Sequence, residues 1–203
     1  GISVGEDGAT HQCLEDIALM RVIPGMVVIN PADAVEARAA VIAAYEYDGP
    51  VYLRFGRLAV PVINDRPDYK FEWGKGYVVK EGTDVTIIAT GLEVAAAIDA
   101  AELLEKEGIN AEIVNIHTIK PIDKDLIVKE AEKTGKVVTV EEHSVIGGLG
   151  SAVCEVLSEN HPLPVKRIGV YDRFGESGPA VELLHKYKLD GEGIAEQVKG
   201  YLK

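Results

Sequence analysis

The sequence predicts an α/β protein in two pieces: an incomplete doubly wound parallel-sheet unit, then a complete three-layer α/β/α domain with a mostly parallel sheet. Short β-branched runs alternate with longer amphipathic stretches along most of the chain, the pattern of strands linked by crossover helices. The strand-like runs are apolar on both faces, as in a sheet covered by helices on both sides. Between the two series, from Leu58 to about Thr83, the periodicity fades.

In order, His11–Arg21 reads as a short helix stopped by Pro24-Gly25, and Met26–Asn30 as a strand. Pro31-Ala32-Asp33 starts a helix running to about Tyr47, with acidic residues in its first turn. Asp48-Gly49-Pro50 ends it, and Val51–Phe55 is a strand. The turn formers Pro61, Asp65-Arg66-Pro67-Asp68 and Gly74-Lys75-Gly76 mark a linker, with a hairpin expected near Tyr77-Val78-Val79. The second series has strands at Val85–Thr90, Ala111–Ile116, Lys136–Glu141 and Val165–Val170. Helices are expected at Glu93–Glu107, Asp123–Thr134 (capped by Asp123, stopped by Gly135), Gly148–Asn160, Ser177–Tyr187 and Asp190–Leu202. The expected domains are residues 1–62, a linker 63–82, and residues 83–203.

With 203 residues, 47% of them apolar, the chain can bury a real core. No apolar run approaches the ~20 residues of a membrane-spanning helix. Gly1-Ile2-Ser3-Val4 has no signal-peptide character, so a cytoplasmic protein is expected, and the absence of Met at this end predicts a processed or cleaved terminus. The net charge of −12 repels phosphate backbones and anionic headgroups, disfavouring nucleic-acid and membrane partners. An anionic substrate therefore needs locally placed cations. Cys13 and Cys154 lack disulfide or metal-knuckle spacing and are expected to be buried thiols.

Four stretches could carry chemistry. Gly5-Glu6-Asp7-Gly8-Ala9-Thr10-His11-Gln12 places two carboxylates between flexible glycines, with His11 at an expected helix N-terminus, where anions bind. The same residues equally suit a plain acidic turn. Arg54-Phe55-Gly56-Arg57 lies at the carboxyl end of a strand, where ligands gather in open α/β sheets, and an arginine there can fork a phosphate. Side chains alternate along a strand, so Arg54 and Arg57 need not face the same way; salt-bridged surface arginines are the other reading. Glu141-Glu142-His143-Ser144 followed by Gly147-Gly148-Leu149-Gly150 resembles a phosphate cradle. Its spacing fits neither G-x-G-x-x-G nor a P-loop, and the glutamates oppose a pyrophosphate, so glycines for close helix packing are expected. In Phe174-Gly175-Glu176-Ser177-Gly178-Pro179-Ala180, Ser177 is expected to cap the next helix, and Pro179 removes the last glycine of a serine-hydrolase elbow. The remaining histidines lack metal spacing.

Together these segments resemble one family. GEDGATHQ followed by RVIPGMVVINPADAVEA is similar to the latter half of the pyrimidine-binding domain of transketolases. EEHSVIGGLGSAVCEVL and DRFGESGPA are similar to the domain that follows it. GEDGATHQ shares its last residues with deoxyxylulose-phosphate synthase, whereas the ending FGESGPA is typical of transketolases. The β subunits of 2-oxoacid dehydrogenases share the architecture but lack the E-D-G-x-T-H-Q string.

The resemblance implies two-carbon ketol transfer between sugar phosphates, dependent on thiamine diphosphate and a divalent metal, magnesium or calcium. It implies that Asp7 hydrogen-bonds a sugar hydroxyl and that His11 and Arg57 bind the substrate phosphate. It assigns no catalytic, cofactor-binding or metal-binding residue within the chain: the diphosphate-binding domain, the activating glutamate and the aromatic platform belong upstream of Gly1. No cofactor is therefore expected on this chain alone, and it is expected to be inactive without the missing amino-terminal region or subunit. A homodimer through the α/β domains is expected, and the truncated sheet predicts self-association or loss of order near residues 1–30. The rival readings are a non-catalytic dimerisation or assembly module, and part of a related thiamine-diphosphate enzyme, a deoxyxylulose-phosphate synthase or a 2-oxoacid dehydrogenase β subunit.

Overall fold

The computed structural model describes residues 1–203. The chain opens in a 3₁₀ segment, Ile2–Thr10, broken at Gly5 (φ 80°) and Gly8 (φ 72°), which bend the acidic turn back on itself. Helix α1 (Asp16–Arg21) leads to β1 (Val27–Ile29). Helix α2 (Ala34–Glu46) then crosses over to β2 (Val51–Leu53), which pairs parallel to β1.

The second series supplies β3 (Tyr77–Lys80), β4 (Val85–Ala89), β5 (Ala111–Asn115), β6 (Thr118–Lys120), β7 (Val137–Ser144) and β8 (Val165–Val170). Five of these form one sheet in the order β3-β5-β4-β7-β8, parallel except for the edge strand β3. Helices α3 (Glu93–Glu105) and α7 (Gly191–Leu202) cover one face; α4 (Lys124–Thr134) and α5 (Leu149–Asn160) cover the other. The short α6 (Ala180–Lys186) packs against the 3₁₀ segment. Strand β4 shows how the sequence makes three layers: Val85, Ile87 and Ala89 join the core under α3 and α7, while Ile88 joins the core under α4 and α5.

The helices end as their sequences dictate. Asp123 caps α4 by accepting from Leu126 N–H at 3.3 Å, and Gly135 closes it in the left-handed conformation. Asp33 caps α2 with one oxygen, accepting from Glu36 N–H, and with the other accepts the N–H groups of Ile63 and Asn64 at 2.8 and 2.7 Å. Glu36 is buried; it accepts from Ala32 N–H, Tyr69 O–H and the Asn115 amide. Thus α2 fastens the segment between the units and reaches the end of β5.

Several expectations are corrected. The two units of the α/β series share cores and a sheet. Ile2, Leu14 and Ala32 belong to the core under α3, Ile17 and Val28 to the core under α5, and β6 pairs antiparallel with β1 to give a sheet ordered β2-β1-β6. A two-strand half-unit cannot bury its own apolar face, so it borrows a strand and two cores from its neighbour. For the same reason Ile2, Leu14, Ile17 and Val28 are buried in these cores. The expected linker 63–82 contains β3, which is an edge strand on β5 rather than a hairpin. The first helix begins at Asp16, five residues later than expected, so Cys13 falls in the irregular stretch before it and is exposed, while Cys154 is half-buried.

At the start of α3, the Glu93 carboxyl is fully buried and neither oxygen has a hydrogen-bond partner. Burial, then the nearby Glu142 charge, raises its pKa well above the ordinary 4.5. A raised folded-state pKa means that protonation favours the fold. The contribution is complete below about pH 4.5 and is lost as pH rises through the folded value. Glu93→Gln should therefore flatten the decline of the urea midpoint above pH 4.5; parallel pH profiles for the two proteins would contradict this.

Candidate functional site

Two of the singled-out motifs interlock. The Gln12 side-chain amide donates to the carbonyls of Ile2 (3.2 Å), Gly5 (3.2 Å) and Glu176 (2.9 Å), drawing both ends of the acidic turn onto the FGESGPA segment. The Ser177 hydroxyl donates to the Glu6 carbonyl. The fit is close: a Cβ added at Gly175 would lie 1.9 Å from Gln12 Oε1, and one at Gly8 would lie 3.3 Å from Ser177 Cβ. Ser177 therefore does not cap α6, whose N-cap is Pro179 without a side-chain bond. Because Gln12 is tied to this segment, the chain turns again before α1, and His11 does not sit at a helix N-terminus.

Beneath this turn lies a buried charge network. Arg54 is only 6% exposed. Its Nε donates to Asp16 Oδ2 at 2.8 Å, its Nη2 donates to the carbonyls of Cys13 and Glu142, and its Nη1 lies 3.8 Å from Glu142 Oε1. The period-two alternation of β2 puts Tyr52 on the same face, and its O–H also donates to Asp16 Oδ2 at 2.8 Å. Glu142 Oε2 accepts from Ser3 N–H at 2.9 Å. Burial pushes the Asp16 carboxyl up, but Arg54 and the Tyr52 bond outweigh it and hold the pKa below the usual range. Next along β7, His143 is buried; burial lowers its pKa and keeps it neutral. Its Nδ1–H then donates to Ser144 O at 2.7 Å, while Nε2 accepts weakly from Ala18 N–H at 3.4 Å.

Of the three residues expected to bind substrate, Asp7 and Arg57 meet: Arg57 Nη1 pairs with Asp7 Oδ2, both side chains being largely exposed. His11 closes the same turn, its N–H donating to Gly8 O at 3.0 Å, and its exposed ring shares a 3.0 Å hydrogen bond with Thr10 Oγ1. No hydrogen bond or ion pair joins it to Arg57. Gly56 and Leu58, either side of Arg57, line a cleft of about 320 Å³ between the two units, together with Asn30, Leu92 and Glu142.

The description "Transketolase, C-terminal domain" matches residues 74–194, and "Transketolase, pyrimidine binding domain" matches residues 1–62. The chain belongs to the transketolase family. A transketolase C-terminal section from Methanocaldococcus jannaschii is 50% identical over 205 residues, covering 100% of this chain and 64% of that protein. One of the subunits of an apulose-4-phosphate transketolase from Phocaeicola vulgatus is 44% identical, covering 100% of this chain and 65% of that protein. A solved split-gene transketolase, described as an inactive β4 tetramer, superposes with a TM-score of 0.91 at 55% identity, covering 96% of this chain and 63% of that one. The chain thus spans less than two thirds of the length of these transketolases.

The transketolase family implies thiamine diphosphate in the complete enzyme, and the residues present do not fit its metal–diphosphate moiety. No group of three His, Cys, Asp or Glu side chains is arranged to hold a metal ion. The glycine-rich N-terminus of α5 is filled from inside. Glu141 accepts from Leu149 and Gly150 N–H at 2.7 and 2.9 Å, and a Cβ at Gly148 would lie 2.0 Å from Glu141 Oε2. At Gly150 a Cβ would lie 2.7 Å from Thr139 Oγ1. These glycines therefore serve close helix packing.

Sequence reasoning noticed Arg54, Glu142 and His143 without seeing that they form one network; the usable signal was the two-residue spacing of Tyr52 and Arg54. Removing Arg54 strands two buried carboxylates. Arg54→Ala should cost about 3–5 kcal/mol in urea unfolding, and a loss below ~1 kcal/mol, the range of exposed pairs, would contradict the network.

Proposed function

We propose that this chain is the carboxyl-terminal part of a two-part transketolase and that Asp7, His11 and Arg57 bind the sugar phosphate during ketol transfer. The observation that carries the reading is the Arg57–Asp7 pair, beside an inter-unit cleft and in the same turn as an exposed imidazole. An exposed ion pair is worth about 0.2–1 kcal/mol, so a doubly charged phosphate can take Arg57 from Asp7 at small cost. The guanidinium fork matches phosphate geometry. Asp7, once released, can accept a hydrogen bond from a nearby sugar hydroxyl, and the His11 ring can donate to the phosphate. No proton transfer is assigned to these side chains: they bind and orient, and thiamine diphosphate supplies the carbon chemistry from the other part of the enzyme.

The two-part reading is supported by the relatives described as a section, a subunit and a split-gene product. It is also supported by an uncovered apolar face on α2, where Val41 and Ile42 are half-exposed and Tyr45 is 91% exposed, next to the open edge of β2. Such surface suits a missing domain or a second copy, and we extend the proposal to self-association and inactivity of the chain alone. The test is to add the amino-terminal transketolase subunit and assay transfer from a ketose phosphate, with pyruvate as the comparison donor. Transfer from the ketose phosphate only in the mixture is expected. Pyruvate use would instead favour a synthase, and no transfer would leave the assembly role.

Within that mixture, Arg57→Ala should lower kcat/KM for a phosphorylated acceptor by about 1.5–3 kcal/mol more than for the unphosphorylated sugar, the value of a charge-assisted bond. Equal losses for ribose 5-phosphate and ribose would remove Arg57 from the phosphate clamp.

A further inference from the structure

We infer that Ser177, in the carboxyl-terminal unit, is a positioning residue for Asp7, holding the peptide from which the Asp7 side chain is aimed. The inference rests on the substrate-binding reading of Asp7 given above.

The acidic turn is the part of the chain least able to hold its own shape. Its two ends, Gly5 and Gly8, both have positive φ and break the 3₁₀ segment, leaving only Glu6 and Asp7 between the two breaks. The oxygen that Ser177 holds is the Glu6 carbonyl, which belongs to the peptide linking Glu6 to Asp7. A peptide unit is planar, so fixing its oxygen fixes the plane that carries the Asp7 nitrogen and narrows the directions open to the Asp7 side chain. The neighbouring contacts act in the same sense. Gln12 ties the Gly5 carbonyl to the Glu176 carbonyl, and a Cβ at Gly5 would sit 3.3 Å from Gly178 O. Asp7 is therefore presented to Arg57 by a segment distant in sequence, Ser177 being 171 residues from Glu6.

Ser177 is itself exposed, and its hydroxyl does not cap α6. Ser177→Ala therefore removes one hydrogen bond to the turn and leaves the helix and the cores intact. A residue that matters only to folding would change every substrate and every background equally. A residue that acts by aiming Asp7 has nothing to aim once Asp7 is gone.

The test is a double-mutant cycle in the chain combined with its amino-terminal subunit, reading kcat/KM for ribose 5-phosphate and the melting temperature of each variant. Ser177→Ala is expected to lower kcat/KM about two- to ten-fold, the effect of one neutral hydrogen bond, with an unchanged melting temperature. In the Asp7→Ala background the same substitution should have no further effect. If Asp7→Ala lowers kcat/KM but Ser177→Ala is either silent or fully additive with it, the positioning role is overturned while the substrate site stands. If Asp7→Ala itself leaves kcat/KM unchanged, the substrate-binding reading of Asp7 falls, and the role of Ser177 with it.

Discussion

Burial of one guanidinium between two units is the constraint from which the rest of the architecture follows. Arg54 leaves the end of β2, meets Asp16 at the start of α1, and reaches the Glu142 side chain and carbonyl on β7. Desolvating three charges is costly, and apolar packing could give as much stability. What apolar packing lacks is direction. The fork accepts partners only along its N–H bonds, so Arg54 sets how the amino-terminal strands meet the carboxyl-terminal sheet. Because Arg54 also holds the Cys13 carbonyl, the same side chain fixes the end of the turn that carries His11.

An acidic protein with a net charge of −12 uses many of its carboxylates as internal acceptors for backbone N–H groups. Asp33 and Glu36 gather the segment between the units, Glu141 fills the N-terminus of α5, and Glu142 receives Ser3 N–H. The preference of helix N-termini for negative charge is here satisfied from within, which leaves the glycine-rich loop after β7 no role as an anion cradle. Burial raises the pKa of Glu141 to about 7, so even this internal anion sits near its titration point at neutral pH. His117 shows the opposite sign. Burial lowers its pKa to about 4, and it lies as a neutral ring 4.5 Å from Phe71.

The exposed Arg57 differs from Arg54 although they are only three positions apart. Arg54 is still in register with β2 and shares the inward face of Tyr52, whereas Arg57 follows Gly56 beyond the strand and pairs with Asp7 near solvent. One arginine organises the joint and the other is available beside the cleft. Alternation along the strand predicts that their directions can differ; it does not say which one is inside.

Local pattern determined the alternating α/β series, the doubly covered strands of the second unit, the cap at Asp123, and the transketolase resemblance of GEDGATHQ and FGESGPA. Each of these depends on residues a few positions apart, where propensity, periodicity and capping act. Only tertiary structure decided that β6 completes the first sheet, that the two larger cores run through both units, and that α1 starts after His11 rather than at it. It also decided that Ser177 holds the acidic turn instead of capping a helix. These features depend on partners that are distant in sequence, and a hydroxyl, an amide or a buried arginine carries no local sign of which distant carbonyl or carboxylate it will meet.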